Sequence, residues 1–364
     1  MACTNPRIMA VVDTSGFKRV TPEGLVVPDW TTLKRMEKLN WKISYEHKRA
    51  YRLIAKESRD LPLENIPSWA RLDDMEIPCG NCIQCRLDYS KTWATRCYLE
   101  SLQYDHNYFV TLTYDDEHIK RSPNTNNPTV SIDDFRQFIK DLRQVMRRKY
   151  KHIGVKYFGC TEYGDQSFRP HGHIILFNCP IPDLTINFLD DDGNITQHKS
   201  SFGFMYFSQL IKSLWPYGFI TVEDANYNTE AYVSRYIMKK QKGKAGTELY
   251  IKQLDVEPPR LFMSLGIGEK YFETHESDLL DNPSLIVPRG AGQSPLVSGI
   301  PRYYKKKIQE RHPEEYDRLI SVAKDNTLKA RSLLKGKQLI NDNRSAKESH
   351  TKRSFEAFAR DLKV

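Results

Sequence analysis

Residues 170–177 read PHGHIILF, two histidines one position apart followed at once by a run of apolar residues. Isoleucine and phenylalanine favour extended backbone, so the stretch predicts a β-strand. In a strand, side chains at positions i and i+2 point to the same face of the sheet. His171 and His173 are therefore expected to stand side by side, as two neighbouring metal ligands do. Such a pair could equally cap an exposed strand edge, so it needs support from elsewhere in the chain.

Support lies about sixty residues further on, where residues 232–240 read YVSRYIMKK. Residues three or four positions apart share one face of a helix, so a helix here would align Tyr232, Tyr236 and Lys239. A phenol is a weak nucleophile at neutral pH, and a nearby cation or metal ion helps it to attack a phosphate. Two phenols and an ammonium group beside a metal ion predict a site that cleaves phosphodiesters. Either tyrosine could instead pack against the sheet.

The two motifs together resemble those of the HUH endonucleases, nickases that form a phosphotyrosine bond with single-stranded DNA. The similarity is greatest to the branch with paired tyrosines. Residues 109–114, FVTLTY, resemble the first strand motif of that family, and residues 232–240 resemble the nicking motif of microvirus replication initiators of the gokushovirus type. The nuclease resemblance covers roughly residues 86–240, and the gokushovirus-type resemblance extends over most of the chain.

The resemblance also implies the ions and ligands of the site. Glu162 is expected to be the third metal ligand, because residues 162–171 match the family pattern Glu-x-Gly-x5-Pro-His and the strand before His171 would carry it alongside. The family uses Mg²⁺ or Mn²⁺, whereas imidazole ligands by themselves would also suit Zn²⁺, Ni²⁺ or Cu²⁺. On the predicted tyrosine helix, the expected roles are charge stabilisation for Lys239 and contacts to backbone phosphates for Arg235 and Lys240.

The order of the predicted elements indicates an α+β fold. A helix over residues 87–103 is followed by strand, helix, strand, strand, helix, strand and helix, at residues 108–114, 132–149, 155–162, 171–177, 207–215, 219–222 and 229–241. This order is compatible with a ferredoxin-like antiparallel sheet with helices on one side, which the resemblance also implies. The expected divisions are an irregular N-terminal extension (residues 1–85), the HUH endonuclease core (86–242), a loop-rich connection (243–300) and a basic helical tail (301–364).

Residues 79–85 read CGNCIQC, three cysteines within seven residues. Gly80 permits the tight turn of a metal-binding knuckle, and thiolates are preferred ligands of structural zinc. Zinc takes four ligands, and Cys97 is one candidate for the fourth. The resemblance favours another, Cys3, because gokushovirus-type proteins have a cysteine very near the N-terminus. An iron–sulfur cluster and simple buried thiols are the alternatives. The expected zinc ligands are Cys79, Cys82, Cys85 and Cys3.

The composition suits a protein that binds a polyanion in a reducing compartment. The formal net charge is +9, and residues 301–364 hold 17 Lys and Arg against 9 Asp and Glu. Such a charge run is also typical of a solvated helical tail, but beside the nuclease motifs it favours DNA binding. No apolar run approaches the ~18 residues of a membrane span, and the N-terminus lacks a signal peptide core, so the host bacterial cytoplasm is expected. Cys160 and Cys179 are expected in core strands.

These observations predict a rolling-circle replication initiator of a small single-stranded DNA phage. It would nick single-stranded or supercoiled origin DNA, remain joined to the 5′ phosphate through tyrosine, and rejoin ends to release circles. Two tyrosines would allow two consecutive transesterifications. The host helicase and polymerase are the expected protein partners. A non-catalytic DNA-binding regulator and a single-strand DNA transposase or relaxase are the alternatives.

Overall fold

The computed structural model describes residues 7–38, 41–44, 49–54, 72–80, 82–164, 167–186, 188–189, 195–201, 203–239, 246–287 and 294–332, with residues 346, 349 and 353. They form two compact units that divide between Cys85 and Arg86, with residues 346, 349 and 353 in the first. None of the described helices is both long and apolar enough to cross a membrane. Cys3, Lys240 and most of the chain beyond Ser332 lie outside the described residues.

The first unit contains a sheet where the sequence indicates an irregular extension. Its elements are β1 (Arg7–Asp13), β2 (Lys18–Val20), β3 (Val26–Pro28), α1 (Trp30–Lys38), β4 (Lys42–Ser44), β5 (Arg49–Ile54) and β6 (Leu72–Ile77). Strands β4, β5, β1 and β6 pair in that order, and β2 pairs with β3. Core residues such as Val12, Leu33 and Trp41 come from different elements. They leave no periodic run, so the expectation of an irregular extension does not hold here.

The second unit is built on a five-stranded antiparallel sheet. Its strands are β7 (Tyr108–Tyr114), β8 (Lys156–Tyr163), β9 (Pro170–Phe177), β10 (Phe188–Leu189), β11 (Ile195–Thr196), β12 (Lys199–Ser200), β13 (Gly203–Phe204), β14 (Gly218–Asp224), β15 (Leu261–Met263), β16 (Ser284–Val287) and β17 (Leu296–Gly299). The order in the main sheet is β14–β7–β9–β8–β15, with antiparallel neighbours throughout. This sheet confirms the predicted α+β class.

The helices of this part of the chain begin with α2, just before the division between the units. They are α2 (Ile83–Ser101), α3 (Ile132–Lys149), α4 (Gln209–Leu214), α5 (Tyr227–Lys239), a π-helical segment (Thr247–Gln253), α6 (Glu269–Thr274), α7 (Glu276–Asp281), α8 (Arg302–Arg311) and α9 (Pro313–Ser332). The bounds of β7 and α3 are those that the sequence predicts. Both show a strong local pattern, period two or period 3.6.

Helices cover both faces of the main sheet. On one face, Val110 and Ile174 pack in a cluster with side chains of α3 and α4. On the other face, Phe109 and Ile175 pack in a cluster with Val233 of α5. The prediction of helices on one side is corrected by this arrangement. Consecutive buried residues in β7 and β9 are the sequence mark of strands covered on both faces.

Residues 243–300 also differ from the loop-rich connection that their glycines and prolines indicate. Their described part includes β15, which extends the main sheet beside β8, and a hairpin of β16 and β17. Leu285 and Val287 of the hairpin join Tyr304 and Ile308 of α8 in a second hydrophobic cluster. Contacts between distant residues therefore hold short elements that have no strong local pattern.

Candidate metal and tyrosine site

Strand pairing brings the three predicted metal ligands together. In the antiparallel pair β8–β9, Glu162 lies opposite His171 and Cys160 lies opposite His173. Paired residues, and residues two positions apart, share a face of the sheet, so all three ligands point the same way. The ligand atoms of Glu162, His171 and His173 lie within 4.8 Å of one another.

Hydrogen bonds orient both imidazole rings. His171 Nδ1 lies 3.0 Å from the carbonyl oxygen of Arg169. A carbonyl only accepts, so we assign the proton to Nδ1, and Nε2 presents a lone pair 2.7 Å from Glu162 Oε1. His173 Nδ1 lies 2.9 Å from Thr111 Oγ1, and its Nε2 lies 3.6 Å from the same Glu162 oxygen. Each ring thus turns Nε2 toward the carboxylate.

The carboxyl group of Glu162 is buried, with 9% of the residue exposed. Burial by itself would raise the pKa of Glu162, but hydrogen bonds and charge interactions with His171 and His173 outweigh burial and lower the pKa to about 2. The group is therefore ionised at neutral pH. The site offers one negative charge and two imidazoles.

This donor set fits a divalent metal ion. The assigned tautomer of His171 leaves a lone pair facing the ionised carboxylate of Glu162 at 2.7 Å. Two buried acceptors so close need a proton or a cation between them. Three protein ligands leave coordination positions for water and a phosphate oxygen. Imidazole and carboxylate donors suit Mn²⁺ and Zn²⁺, and Mg²⁺ also accepts carboxylates.

Gly172, between the two histidines, is required by packing on the opposite face of β9. A Cβ atom at this position would lie 2.3 Å from Cε1 of Phe135 on α3. Phe135 is fully buried, so its ring has little room to move away. The strand can therefore present both histidines on one face and pack closely against α3 on the other only with glycine between them.

The tyrosine helix, α5, begins with a capping box. Asn226 Oδ1 accepts hydrogen bonds from the backbone N–H groups of Asn228 and Thr229, and Thr229 Oγ1 accepts one from the backbone N–H of Asn226. Further along, the hydroxyl of Ser90 on α2 donates to the backbone carbonyl of Ser234 at 2.8 Å. These bonds fix where α5 starts and how it lies against α2.

Tyr232 lies beside the metal-ligand set. Its half-buried ring meets His173 edge to face, with ring centres 5.5 Å apart, and meets Phe109 at 5.9 Å. The sheet face that carries the histidines is therefore the face that α5 covers. Tyr232 thus approaches the predicted metal ligands directly.

The other predicted residues of the tyrosine motif are only partly described. Tyr236 and Lys239 lie in α5, but their side chains are outside the described residues, as is all of Lys240. Arg235 is half-buried. The roles predicted for these four residues stay predictions.

Glu230 is a buried acid on the same helix, two residues before Tyr232. Neither of its carboxyl oxygens has a hydrogen-bond partner among the described residues. The nearby hydroxyl of Ser101 donates to the carbonyl of Tyr98 instead. Burial raises the pKa of Glu230 to about 8, and Ser101 offsets only part of that effect. The carboxyl group is therefore mostly protonated at neutral pH.

The cysteine cluster, Cys79, Cys82 and Cys85, folds as a tight turn. The three sulfur atoms lie within 4.8 Å of one another. The backbone N–H of Cys82 points to the sulfur of Cys79 at 3.2 Å, and that of Cys85 points to the sulfur of Cys82 at 3.5 Å. Gly80 has a φ of +75°, in the left-handed region that glycine tolerates. These are features of a metal-binding knuckle.

The remaining cysteines do not join this cluster. Cys97 is fully buried in a hydrophobic cluster of the second unit, where burial raises the pKa of its thiol, so its candidacy as fourth ligand lacks support. Cys160 and Cys179 are buried as predicted. Cys160 lies in β8, but Cys179 follows the end of β9. Cys3 is outside the described residues.

Known proteins resemble this chain over the residues that form the site. The family model for the replication-associated proteins of the ORF2 type matches residues 107–241. The replication-associated protein ORF2 of Spiroplasma virus 4 is 34% identical over 66% of this chain and 70% of its own length. The chain belongs to this family of microvirus-type replication initiators. The matched residues run from the start of β7 to the tyrosine helix.

Two further relatives of this replication initiator come from other phages. The replication-associated protein VP4 of Bdellovibrio phage phiMH2K is 31% identical over 69% of this chain and 74% of its own length. The replication-associated protein ORF4 of Chlamydia phage 1 is 26% identical over 64% of this chain and 54% of its own length. No solved structure matches the initiator.

Sequence reasoning missed three groups in the site of the initiator. Thr111 belongs to the FVTLTY motif, and its position on the same face as the histidines could have marked it as an orienting residue. The Asn226-to-Thr229 capping box was also readable before the tyrosine motif. The carbonyl group of Arg169 carries no sequence signal, because a backbone group acts there and only the fold places it.

Proposed function

We propose that this replication initiator nicks single-stranded origin DNA by forming a phosphotyrosine bond and later rejoins the ends. The observation that carries the proposal is the contact of the Tyr232 ring with His173, 5.5 Å between ring centres, beside Glu162 and His171. A phenol nucleophile next to a set of metal ligands supports transesterification at phosphorus.

In the first step, Tyr232 acts as the nucleophile. Glu162, His171 and His173 would hold a divalent ion, Mg²⁺ or Mn²⁺, which would polarise a non-bridging phosphate oxygen. The Tyr232 oxygen forms a bond to phosphorus, and the bond from phosphorus to the 3′ oxygen breaks. The proton that the phenol loses is balanced by the proton that the leaving 3′ oxygen gains. The products are a 5′ phosphotyrosine and a 3′ hydroxyl.

Tyr236 supplies the second nucleophile in this proposal. It follows Tyr232 by one turn of α5, so the two hydroxyl groups can be presented in turn from one helix face. After a round of synthesis it cleaves the regenerated origin, and the freed 3′ hydroxyl attacks the first linkage and closes a circle. Lys239 stabilises the developing charge, and Arg235 and Lys240 hold backbone phosphates. The host helicase and polymerase supply strand separation and synthesis.

We also propose a structural zinc ion at the cysteine cluster, with Cys3 as its fourth ligand. Three sulfur atoms within 4.8 Å of one another support this assignment. Backbone N–H groups directed at two of the sulfurs also support it, because they stabilise thiolates. A zinc site made only of thiolates contributes directly to folding.

The substitution His171→Ala tests the nicking proposal. It should abolish cleavage of labelled single-stranded origin DNA in buffer with Mn²⁺. Affinity for that DNA should change little, because Lys and Arg contacts to phosphates supply most of it. His106 is exposed and lies just before β7, so His106→Ala provides the control and should cleave normally.

Three outcomes are informative. Loss of cleavage confined to His171→Ala supports the metal assignment. Wild-type cleavage by His171→Ala would contradict it. A wild-type protein that binds origin DNA in Mn²⁺ or Mg²⁺ buffer but never cleaves it would favour the non-catalytic regulator instead.

A further inference from the structure

An open groove of about 920 Å³ lies between α3 and the segment that leads into β8, away from the candidate metal site. Among the described residues it is lined by no Asp or Glu. We call it the basic groove. Its Lys and Arg residues are Arg136, Lys140, Arg143, Arg147 and Lys156.

Four of these cations form a stripe along α3. They follow one another at intervals of four, three and four residues, so they share one helix face over roughly 16 Å. A solvated helix face normally mixes charges of both signs. Here the nearby acid of α3, Asp133, pairs with Arg136 at the end of the stripe, at 3.0 Å. The rest of the stripe faces the groove without a carboxylate.

Two of the cations build the groove itself. Arg143 donates from Nε to the carbonyl of Val155 and from Nη2 to the hydroxyl of Ser264, both at 2.9 Å, which ties α3 to the facing wall. Lys156 pairs with the fully buried Glu100 at 2.8 Å. These bonds hold the walls at a fixed separation, so the groove is a built feature of the fold.

Lys140 and Arg147, in contrast, are exposed and have no hydrogen bond or ion pair within the part of the chain that the structure describes. The facing wall exposes aliphatic side chains, with Ile153 73% and Leu265 94% exposed. A single DNA strand offers both phosphates and the faces of unstacked bases, whereas a duplex keeps those faces inside. We propose that the basic groove binds single-stranded DNA, with phosphates against α3 and bases against the aliphatic wall.

The basic groove is separate from the nicking site. Lys156 and Glu162 are six residues apart on β8, about 20 Å in an extended strand. The helix that carries the stripe also packs on the sheet face opposite to the one that α5 covers. The inference rests on the proposed function only for the identity of the ligand as DNA. A strand longer than the nicking site would continue into the groove.

The test compares two double variants of α3 that each remove one Lys and one Arg. Lys140→Gln/Arg147→Gln changes the groove, and Arg148→Gln/Lys149→Gln changes exposed cations that do not line it. Affinity for an oligodeoxythymidine of about 30 nucleotides is measured by fluorescence anisotropy over a salt series. The groove variant should bind about tenfold more weakly, with a salt slope smaller by about 1.4, or about 0.7 for each lost phosphate contact. The control should bind within about twofold of wild type.

The outcomes separate this inference from the proposed function. Equal losses in both variants, or no loss in the groove variant, would overturn it. A larger loss for duplex than for single-stranded DNA would also overturn it. The groove variant should still nick an origin oligonucleotide of about ten nucleotides at the wild-type rate, and a loss there would show that the groove is not separate. If the wild-type protein does not nick, the proposed function fails while the binding result stands.

Discussion

Replacing Gly172 with alanine perturbs the strand that carries both histidines. The new Cβ would lie 2.3, 2.8 and 2.9 Å from three ring atoms of Phe135. That ring cannot swing aside, because it packs against Tyr114, Trp215 and Phe262, with ring centres 6.1, 4.9 and 6.0 Å away. Either β9 or the aromatic cluster must shift. Shifting β9 moves the histidines on its other face.

The expected magnitude follows from overpacking in a buried core. Overpacking costs about 1–3 kcal/mol, and the lower backbone entropy of alanine in the unfolded chain returns about 0.4–1 kcal/mol. Gly172→Ala should therefore lower the free energy of unfolding by about 2 kcal/mol, which corresponds to a Tm lower by roughly 4–8 °C. Because the orienting hydrogen bonds of His171 and His173 would be strained, Mn²⁺ affinity should fall at least about tenfold.

Urea denaturation and Mn²⁺ titration calorimetry measure both effects. Gly299 lies in β17, and a Cβ atom there would meet no other heavy atom within 4 Å, so Gly299→Ala is the matched control. It should leave stability and metal affinity unchanged. The substitution Phe135→Leu, placed in the Gly172→Ala background, should restore part of the metal affinity. If Gly172→Ala is as stable as Gly299→Ala and binds Mn²⁺ normally, the packing argument for the HxH glycine is refuted.

Two further predictions concern Glu230 and the cysteine cluster. The pKa of Glu230, about 8 in the fold against an ordinary 4.5, means that the folded protein keeps a proton that the unfolded chain loses, so stability should fall as pH rises between these values, by up to about 1.4 kcal/mol per unit. Glu230→Gln should flatten that dependence in urea denaturation at pH 5 and pH 8, and parallel curves for the two proteins would contradict the burial argument. Cys82→Ser should lose zinc by elemental analysis while Cys179→Ser retains it, whereas wild-type protein without zinc would remove the zinc assignment, and iron in its place would indicate a cluster.

Local sequence patterns were sufficient for the elements that build the site. The strand from Pro170 to Phe177 and the helix from Tyr227 to Lys239 were both predicted from residue type and spacing. Helix α3 showed a clear apolar stripe and was predicted with its bounds. The choice of Glu162 also followed from simple antiparallel pairing, and the structure places it opposite His171.

Features that depend on distant contacts could not be predicted in this way. The sheet of the first unit pairs strands separated by tens of residues, and its core residues come singly from many elements. The carbonyl of Arg169 orients His171 through backbone geometry that no side chain indicates. Burial of Glu230 needs the packing of α5 on α2, since the sequence shows only an acid in the first turn of a helix.

The central claim is that a tyrosine of α5 becomes covalently joined to origin DNA beside the histidine pair. The most direct measurement is denaturing electrophoresis of labelled single-stranded origin DNA after incubation with the protein and Mn²⁺, followed by mass spectrometry of the adduct. Tyr232→Phe and Tyr236→Phe should each still form one adduct, on the remaining tyrosine, and the double variant should form none. Release of closed circles should fail in both single variants, because the second transesterification then lacks a nucleophile. An adduct that persists in the double variant, on some other residue, would contradict the assignment of this helix as the carrier of the nucleophile.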